Sequence, residues 1–137
     1  MKVNEFNVPK NLFYTKDHEW ISLENGNVVK VGITDYAQKG LHEIVFVDLS
    51  NEGTRVERAN PLGTVESVKA VSEVFSPVSG YILKVNEDLQ MNPELVNKDP
   101  YGQGWMVLIK TNNWNIDFKN LLSSTQYVQF IEELILK

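Results

Sequence analysis

Apolar positions along this chain fall in short runs separated by turn-forming residues. Trp20-Ile21-Ser22-Leu23 gives way to Glu24-Asn25-Gly26-Asn27 and then to Val28-Val29-Lys30-Val31-Gly32-Ile33. An Asn-Gly pair between two such runs predicts a hairpin, because both residues tolerate positive φ. Ile44 to Leu49 is rich in β-branched and aromatic residues and stops at Ser50-Asn51-Glu52-Gly53. Pro61-Leu62-Gly63 introduces a run from Thr64 to Val68, and a further run from Val71 to Phe75 ends at Ser76-Pro77-Val78-Ser79-Gly80. Tyr81 to Val85 and Trp105 to Ile109 complete the set. Short strands at this spacing predict a β-sandwich or barrel.

Two stretches follow a helical period instead. Thr34 is an N-cap candidate for Asp35 to Lys39, with an acid in the first turn and Gly40 as the expected stop. So short a helix must be held by tertiary contacts. Near the C-terminus, Ser123 and Gln126 fit a capping box ahead of a helix over about 124–136. Its Tyr127, Phe130, Ile131, Leu134 and Ile135 recur on one face, which is expected to pack on the β body. No internal repeat, linker or low-complexity tract interrupts the pattern, so residues 1–137 read as one domain.

Composition narrows the function. With 18 Asp and Glu against 13 Lys and Arg, the net charge is −5. Duplex phosphates repel that sign, and no basic patch offsets it, so nucleic acid is not an expected partner. Cysteine is absent, which removes thiol catalysis, cysteine-ligated metals and disulfides. The longest unbroken apolar run, Trp105 to Ile109, has 5 residues, where a membrane-spanning helix needs about 20. The first nine residues lack the apolar core of a signal peptide. The expectation is a soluble, cytoplasmic protein with no membrane partner.

Catalytic motifs are sparse. Asp17-His18-Glu19 is a local acid–base cluster, but a base and a nucleophile must meet in space, which adjacency does not supply. Gly102-Gln103-Gly104 lacks the third glycine of a phosphate loop and opens no helix. The segment from Gly63 to Gly80 offers more. Lys69 lies between two β-like runs, either as a solvated strand lysine or as a lysine displayed at a hairpin apex. Val68-Lys69-Ala70 has no Gly, Asn, Asp or Pro to mark a turn, so the local chemistry leaves the choice open.

Glu66-Ser67-Val68-Lys69-Ala70, followed by Ser76-Pro77-Val78-Ser79-Gly80, resembles the lipoyl-attachment region of the glycine cleavage system H protein family. His18-Glu19-Trp20, Gly32 to Gln38 and Val45 to Leu49 also match the family in order, as do Pro93 to Asn97, Pro100-Tyr101 and Gly104-Trp105-Met106. The resemblance runs from about Leu12 to Glu133. It implies a mostly β fold, a hybrid barrel-sandwich of two antiparallel sheets like lipoyl domains, with a short internal helix and a C-terminal helix. The lysine would sit on an exposed hairpin over about 64–76, anchored by Val65, Val68, Val71 and Val74, with Pro77 and Gly80 in the turn that leaves it.

The implied function is non-catalytic carriage of lipoic acid, bound as an amide to Lys69 within the attachment motif of Glu66, Ser67, Val68 and Ala70. Acylation would move the net charge from −5 to −6. In the family, glycine decarboxylase with pyridoxal phosphate loads an aminomethyl group on the arm. Aminomethyltransferase passes the one-carbon unit to tetrahydrofolate, and dihydrolipoyl dehydrogenase reoxidises the dithiol with FAD and NAD. A lipoate ligase or a lipoyl or octanoyl transferase would install the arm. Tethering raises the cofactor's effective concentration at each docked site. The family shelters the loaded arm in a cleft, to which Glu19 and Glu73 are carried over as possible acids for the adduct's amine.

Two positions depart from the family pattern. Gly40 stands where some members have histidine, and His42 stands where glycine is usual before Glu43. Biotin carriage is disfavoured because Val68 and Ala70 replace the methionines that usually bracket a biotinyl lysine. The alternative within the family is an H-like relay that donates lipoyl groups to other carriers. The alternative outside it is a small hydrolase or lyase using Asp17, His18 and Glu19.

Overall fold

The computed structural model describes residues 1–136. Eleven strands are present: β1 (Lys2–Val3), β2 (Phe6–Asn7), β3 (Phe13–Tyr14), β4 (Glu19–Leu23), β5 (Val28–Ile33), β6 (Ile44–Leu49), β7 (Arg55–Val56), β8 (Pro61–Ser67), β9 (Val71–Phe75), β10 (Gly80–Val85) and β11 (Val107–Thr111). The helices are α1 (Asp35–Leu41), α2 (Asp88–Met91), α3 (Leu95–Lys98), α4 (Trp114–Asp117) and α5 (Ser124–Leu136). A six-stranded sheet has the order β3-β4-β5-β11-β10-β7, and a three-stranded sheet the order β6-β8-β9. All pairings are antiparallel. The expected mostly β, lipoyl-domain-like architecture is therefore observed, with β1 and β2 adding a third small sheet.

The core lies between the two larger sheets. Ile21, Val29, Val31 and Ile109 from one meet Val47, Leu62, Val65 and Val74 from the other, all buried. In β4 the side chains of Trp20 and Ile21 are buried on opposite faces. Ile21 enters the inter-sheet core, whereas Trp20 joins Val3, Val8, Tyr14, Tyr127 and Ile131 under α5. The ring of Trp20 covers Gly32 so closely that a Cβ there would lie 2.6 Å from the indole nitrogen. That contact explains a glycine inside an otherwise β-branched strand.

The C-terminal helix forms as its capping pattern predicts. The Ser123 amide donates to Gln126 Oε1 at 2.8 Å, and the Gln126 amide donates to Ser123 Oγ at 3.2 Å. Tyr127 and Ile131 are buried while Ile135 is largely exposed, so the apolar face packs through its N-terminal turns. Tyr127 stacks on Tyr14 with centroids 4.5 Å apart. Its hydroxyl lies 2.7 Å from Thr34 Oγ1, the N-cap of α1, and 2.9 Å from His18 Nδ1. One phenol thus joins α5, α1 and the turn before β4.

Four local expectations need correction. Gly40 does not stop α1, which continues through Leu41 to a C-cap at His42. In the β4–β5 hairpin the positive φ angles fall on Gly26 and Asn27 rather than on Asn25 and Gly26. The last strand begins at Val107 rather than Trp105 and extends to Thr111. Of the four valines expected to anchor the hairpin, Val65 and Val74 are buried, but Val68 and Val71 are 67% and 66% exposed. They fall on the outer side of the pleat or at the turn, where the core does not reach.

His42 carries backbone strain. Its φ of 67° and ψ of −152° lie in a region that glycine adopts readily and a residue with a Cβ does not. A glycine would adopt these angles without strain. Replacing His42→Gly should raise stability by about 1 kcal/mol, the relieved strain exceeding the added flexibility of the unfolded chain. Urea denaturation checks this; a fall of the size expected for glycine at an unstrained position would contradict it.

Candidate functional site

Lys69 stands at the tip of the β8–β9 hairpin, and the turn is closed by a serine. The Ser67 amide donates to the Ala70 carbonyl at 2.8 Å. Ser67 Oγ accepts from the amides of Lys69 and Ala70 at 3.1 and 3.0 Å. The hydroxyl does the work that Gly or Asn does in tighter turns, so Val68 and Lys69 avoid positive φ. A serine at the first position of a turn was the signal in the sequence that would have favoured the apex.

The turn is also tied from outside. The Val68 amide donates to the Glu43 carbonyl at 3.0 Å, fixing the tip to the corner between α1 and β6. That corner is braced by Asn97 on α3. Asn97 Oδ1 accepts from the Ile44 amide at 2.9 Å, and Nδ2 donates to the His42 carbonyl at 2.8 Å and to Gln38 Oε1 at 2.9 Å. Val68, Lys69 and Ala70 are exposed, while Glu66 and Ser67 are half-buried. The Lys69 ammonium makes no ion pair among the described residues. It donates to the Gly40 carbonyl at 3.5 Å, near the C-terminal end of α1.

Glu19 and Glu73 occupy different surroundings. Glu73 is exposed on β9, opposite Thr64. Glu19 is 1% exposed at the start of β4. Its Oε1 accepts from Thr15 Oγ1 at 2.6 Å, and its Oε2 accepts from the Phe75 amide at 3.2 Å. That amide is free because β9 is an edge strand. The free edge therefore runs from the Lys69 turn to Glu19, about 17 Å at ordinary strand rise. Glu19 borders a groove of about 320 Å³ lined also by Thr15, Asp17, Phe75, Leu121 and Leu122. Burial pushes its carboxyl from 4.5 up to about 7, against the opposing pull of the Thr15 and Phe75 bonds.

The structure does not assemble a catalytic cluster from Asp17, His18 and Glu19. Asp17 is exposed, and Glu19 points to Thr15 and Phe75. His18 turns to Tyr127, and burial holds its imidazole below 6.5 despite the nearby Asp17 carboxylate. His42 is exposed, and its backbone rather than its imidazole makes the contact with Asn97. Among the described residues no group of three or more His, Cys, Asp or Glu side chains is placed to hold a metal ion, and no helix is long and apolar enough to cross a membrane.

A lysine carried at the tip of a hairpin, on a body of two facing antiparallel sheets, places the chain in the lipoyl-domain-like class. The comparisons narrow the class further: the profile of the family described as Glycine cleavage H-protein matches residues 12–134, and the chain belongs to that family. It is similar to the probable glycine cleavage system H protein of Pyrococcus abyssi, with 46% identity over 134 residues that cover 98% of this chain and 99% of the relative. The glycine cleavage system H protein of Bacteroides fragilis is 51% identical over 121 residues, covering 88% of this chain and 94% of the relative. Among solved structures, the H protein from Mycobacterium marinum superposes with a TM-score of 0.78 at 35% identity, covering 89% of this chain and 97% of that one.

The buried carboxyl of Glu19 gives a signed prediction. A carboxyl whose folded pKa is raised binds more protons folded than unfolded between about 4.5 and about 7, so its contribution to stability is lost as pH rises through that window. Glu19→Gln removes the titration. Relative to that variant, the wild type should lose roughly 3 kcal/mol between pH 4.5 and pH 8. Urea midpoints of both proteins across this range check it; a constant gap would mean that Glu19 ionises as an exposed acid does.

Proposed function

We propose that this chain is a non-catalytic lipoyl carrier of the glycine cleavage system, with Lys69 as the attachment point. The observation that carries the reading is the Lys69 turn: exposed, without an ion pair among the described residues, and fixed at both Ser67 and Val68. It stands at the position where the family motif has its lipoyl lysine. An ammonium left in water is reached by an acylating enzyme without first paying for its removal from a buried pair.

The residues present fit the group. Lys69 Nζ, once deprotonated, would attack the carbonyl carbon of an activated lipoyl carboxyl, the bond from that carbon to the activating phosphate or thiol breaking as the amide forms, and the amide would keep one N–H to donate to the Gly40 carbonyl. Ser67, Val68 and Ala70 hold the turn through hydroxyl and backbone bonds, and Glu66 leads into it on β8. When bound, the lipoyl group supplies a dithiolane that accepts the aminomethyl unit and two electrons. The chain's own part is then presentation and shelter. Rigid backbone ties at the tip leave the motion to the arm, which raises its effective concentration at each partner site.

Glu73, along β9, and Glu19, in the groove at its far end, are the acids offered to a cationic arm end. A carboxyl that titrates near pH 7 can accept a proton or pair with an ammonium there. The partners in this reading are glycine decarboxylase, aminomethyltransferase, dihydrolipoyl dehydrogenase and a lipoyl-attaching enzyme, in the cytoplasm.

Reconstitution with glycine decarboxylase, aminomethyltransferase and dihydrolipoyl dehydrogenase tests the proposal. Lipoylated wild type should support NADH formation from glycine and tetrahydrofolate. Lys69→Arg should take up no lipoyl group and support none, because guanidinium stays protonated and is a poor nucleophile. A Lys69→Arg variant that sustains turnover would overturn the assignment.

A further inference from the structure

The chain's only Asn-Gly pair, Asn25-Gly26, lies in the turn between β4 and β5, at the end of β5 opposite α1. Both residues are exposed. The turn around them is tied by backbone carbonyls. The Glu24 amide donates to the Val28 carbonyl at 2.7 Å, and Lys110 Nζ donates to the Gly26 carbonyl at 2.6 Å. The Asn27 carbonyl accepts from the Thr111 amide at 2.8 Å and from Thr111 Oγ1 at 3.1 Å. Two groups stay outside these ties: among the described residues, neither the Asn25 carboxamide nor the Gly26 amide has a hydrogen-bond partner. Gly26 has a φ of 66°, and a Cβ placed there would meet nothing within 4 Å, so the turn is open at that residue.

We propose that Asn25 is a site of spontaneous covalent modification, in which the Gly26 amide displaces ammonia from the Asn25 side chain. The Gly26 N–H gives its proton to hydroxide, and the nitrogen attacks Asn25 Cγ. The N–Cγ bond forms, the Cγ–Nδ2 bond breaks, and the side-chain nitrogen leaves as ammonia with a proton from water. A five-membered imide then joins the two residues. Water opens it in either of two ways. Addition at Cγ breaks the new N–Cγ bond and leaves aspartate. Addition at the main-chain carbonyl carbon of Asn25 breaks the original peptide bond and carries the chain through the side chain as isoaspartate. No electrons are exchanged: asparagine and water give an acid and ammonia, and the net charge moves from −5 to −6.

The surroundings single out this asparagine. Ring closure needs a following residue whose amide is accessible and whose backbone can turn, and glycine has no Cβ to oppose either. Asn60 and Asn92 precede proline, which has no N–H. Asn27 precedes Val28, whose branched side chain crowds its own amide. Asn86 and Asn97 hold their carboxamides in hydrogen bonds. The isoaspartate product lengthens the main chain by one atom, between the Glu24–Val28 bond and the bonds from Thr111 to Asn27. It loosens this hairpin and leaves the Lys69 turn untouched.

The test is incubation of the full chain for days at body temperature, in mildly alkaline and in mildly acidic buffer. Peptide mapping follows each asparagine, and an isoaspartyl methyltransferase with labelled S-adenosylmethionine counts isoaspartate. Asn25 should be lost first, about tenfold faster than Asn27 in the same turn. The loss should be faster in the alkaline buffer, with isoaspartate among the products. Gly26→Ala should slow it about tenfold and suppress the methyl label. An Asn25 that stays intact while another asparagine converts, or a label that is unchanged in Gly26→Ala, would overturn the site. Neither result bears on the acylation of Lys69.

Discussion

The hydrogen bond from the Val68 amide to the Glu43 carbonyl is the constraint on which the site depends. A two-stranded hairpin tip is marginally stable by itself in water. Here the tip is held by the corner after α1, and the corner is held by Asn97, whose side chain satisfies backbone groups on both sides of Glu43. The strained backbone of His42 persists because these bonds over-determine it. Charge and hydration then do the rest: with the backbone fixed and no acid paired to it among the described residues, Lys69 keeps its side chain exposed.

Larger features of the body serve the same end. Trp20 and Ile21, adjacent in β4, are buried on opposite faces and lock the six-stranded sheet between the inter-sheet core and α5. Tyr127 ties α5 to the cap of α1, so the helix whose end meets Lys69 is anchored at its beginning as well. Backbone ties thus reach both the hairpin tip and the helix end beneath the amine.

The strands with the strongest period and β-branched content were legible in the sequence, as was the capping box of α5, because both signals are local. Lys69 was legible only through resemblance. Its turn is made by the Ser67 hydroxyl, a weaker local signal than Gly or Asn, and by a carbonyl 25 residues earlier in the chain, which no local residue announces. Short helices α2, α3 and α4 carry too few residues for a period to emerge. Glu19 reads as a polar residue opening a strand; its burial follows from how β9 meets β4, which is a tertiary fact. Asn97 fell inside a matched motif, yet its bracing role needs α3, α1 and β6 to be placed together.

Peptide mapping of the chain produced in cells supplied with lipoate tests the central claim most directly, since many lysines are exposed but one is presented. One lipoyl group on Lys69, with every other lysine unmodified, is the expected result. A lipoyl group on another lysine, or a Lys69 that stays free while an established carrier in the same cells is fully modified, would contradict the account.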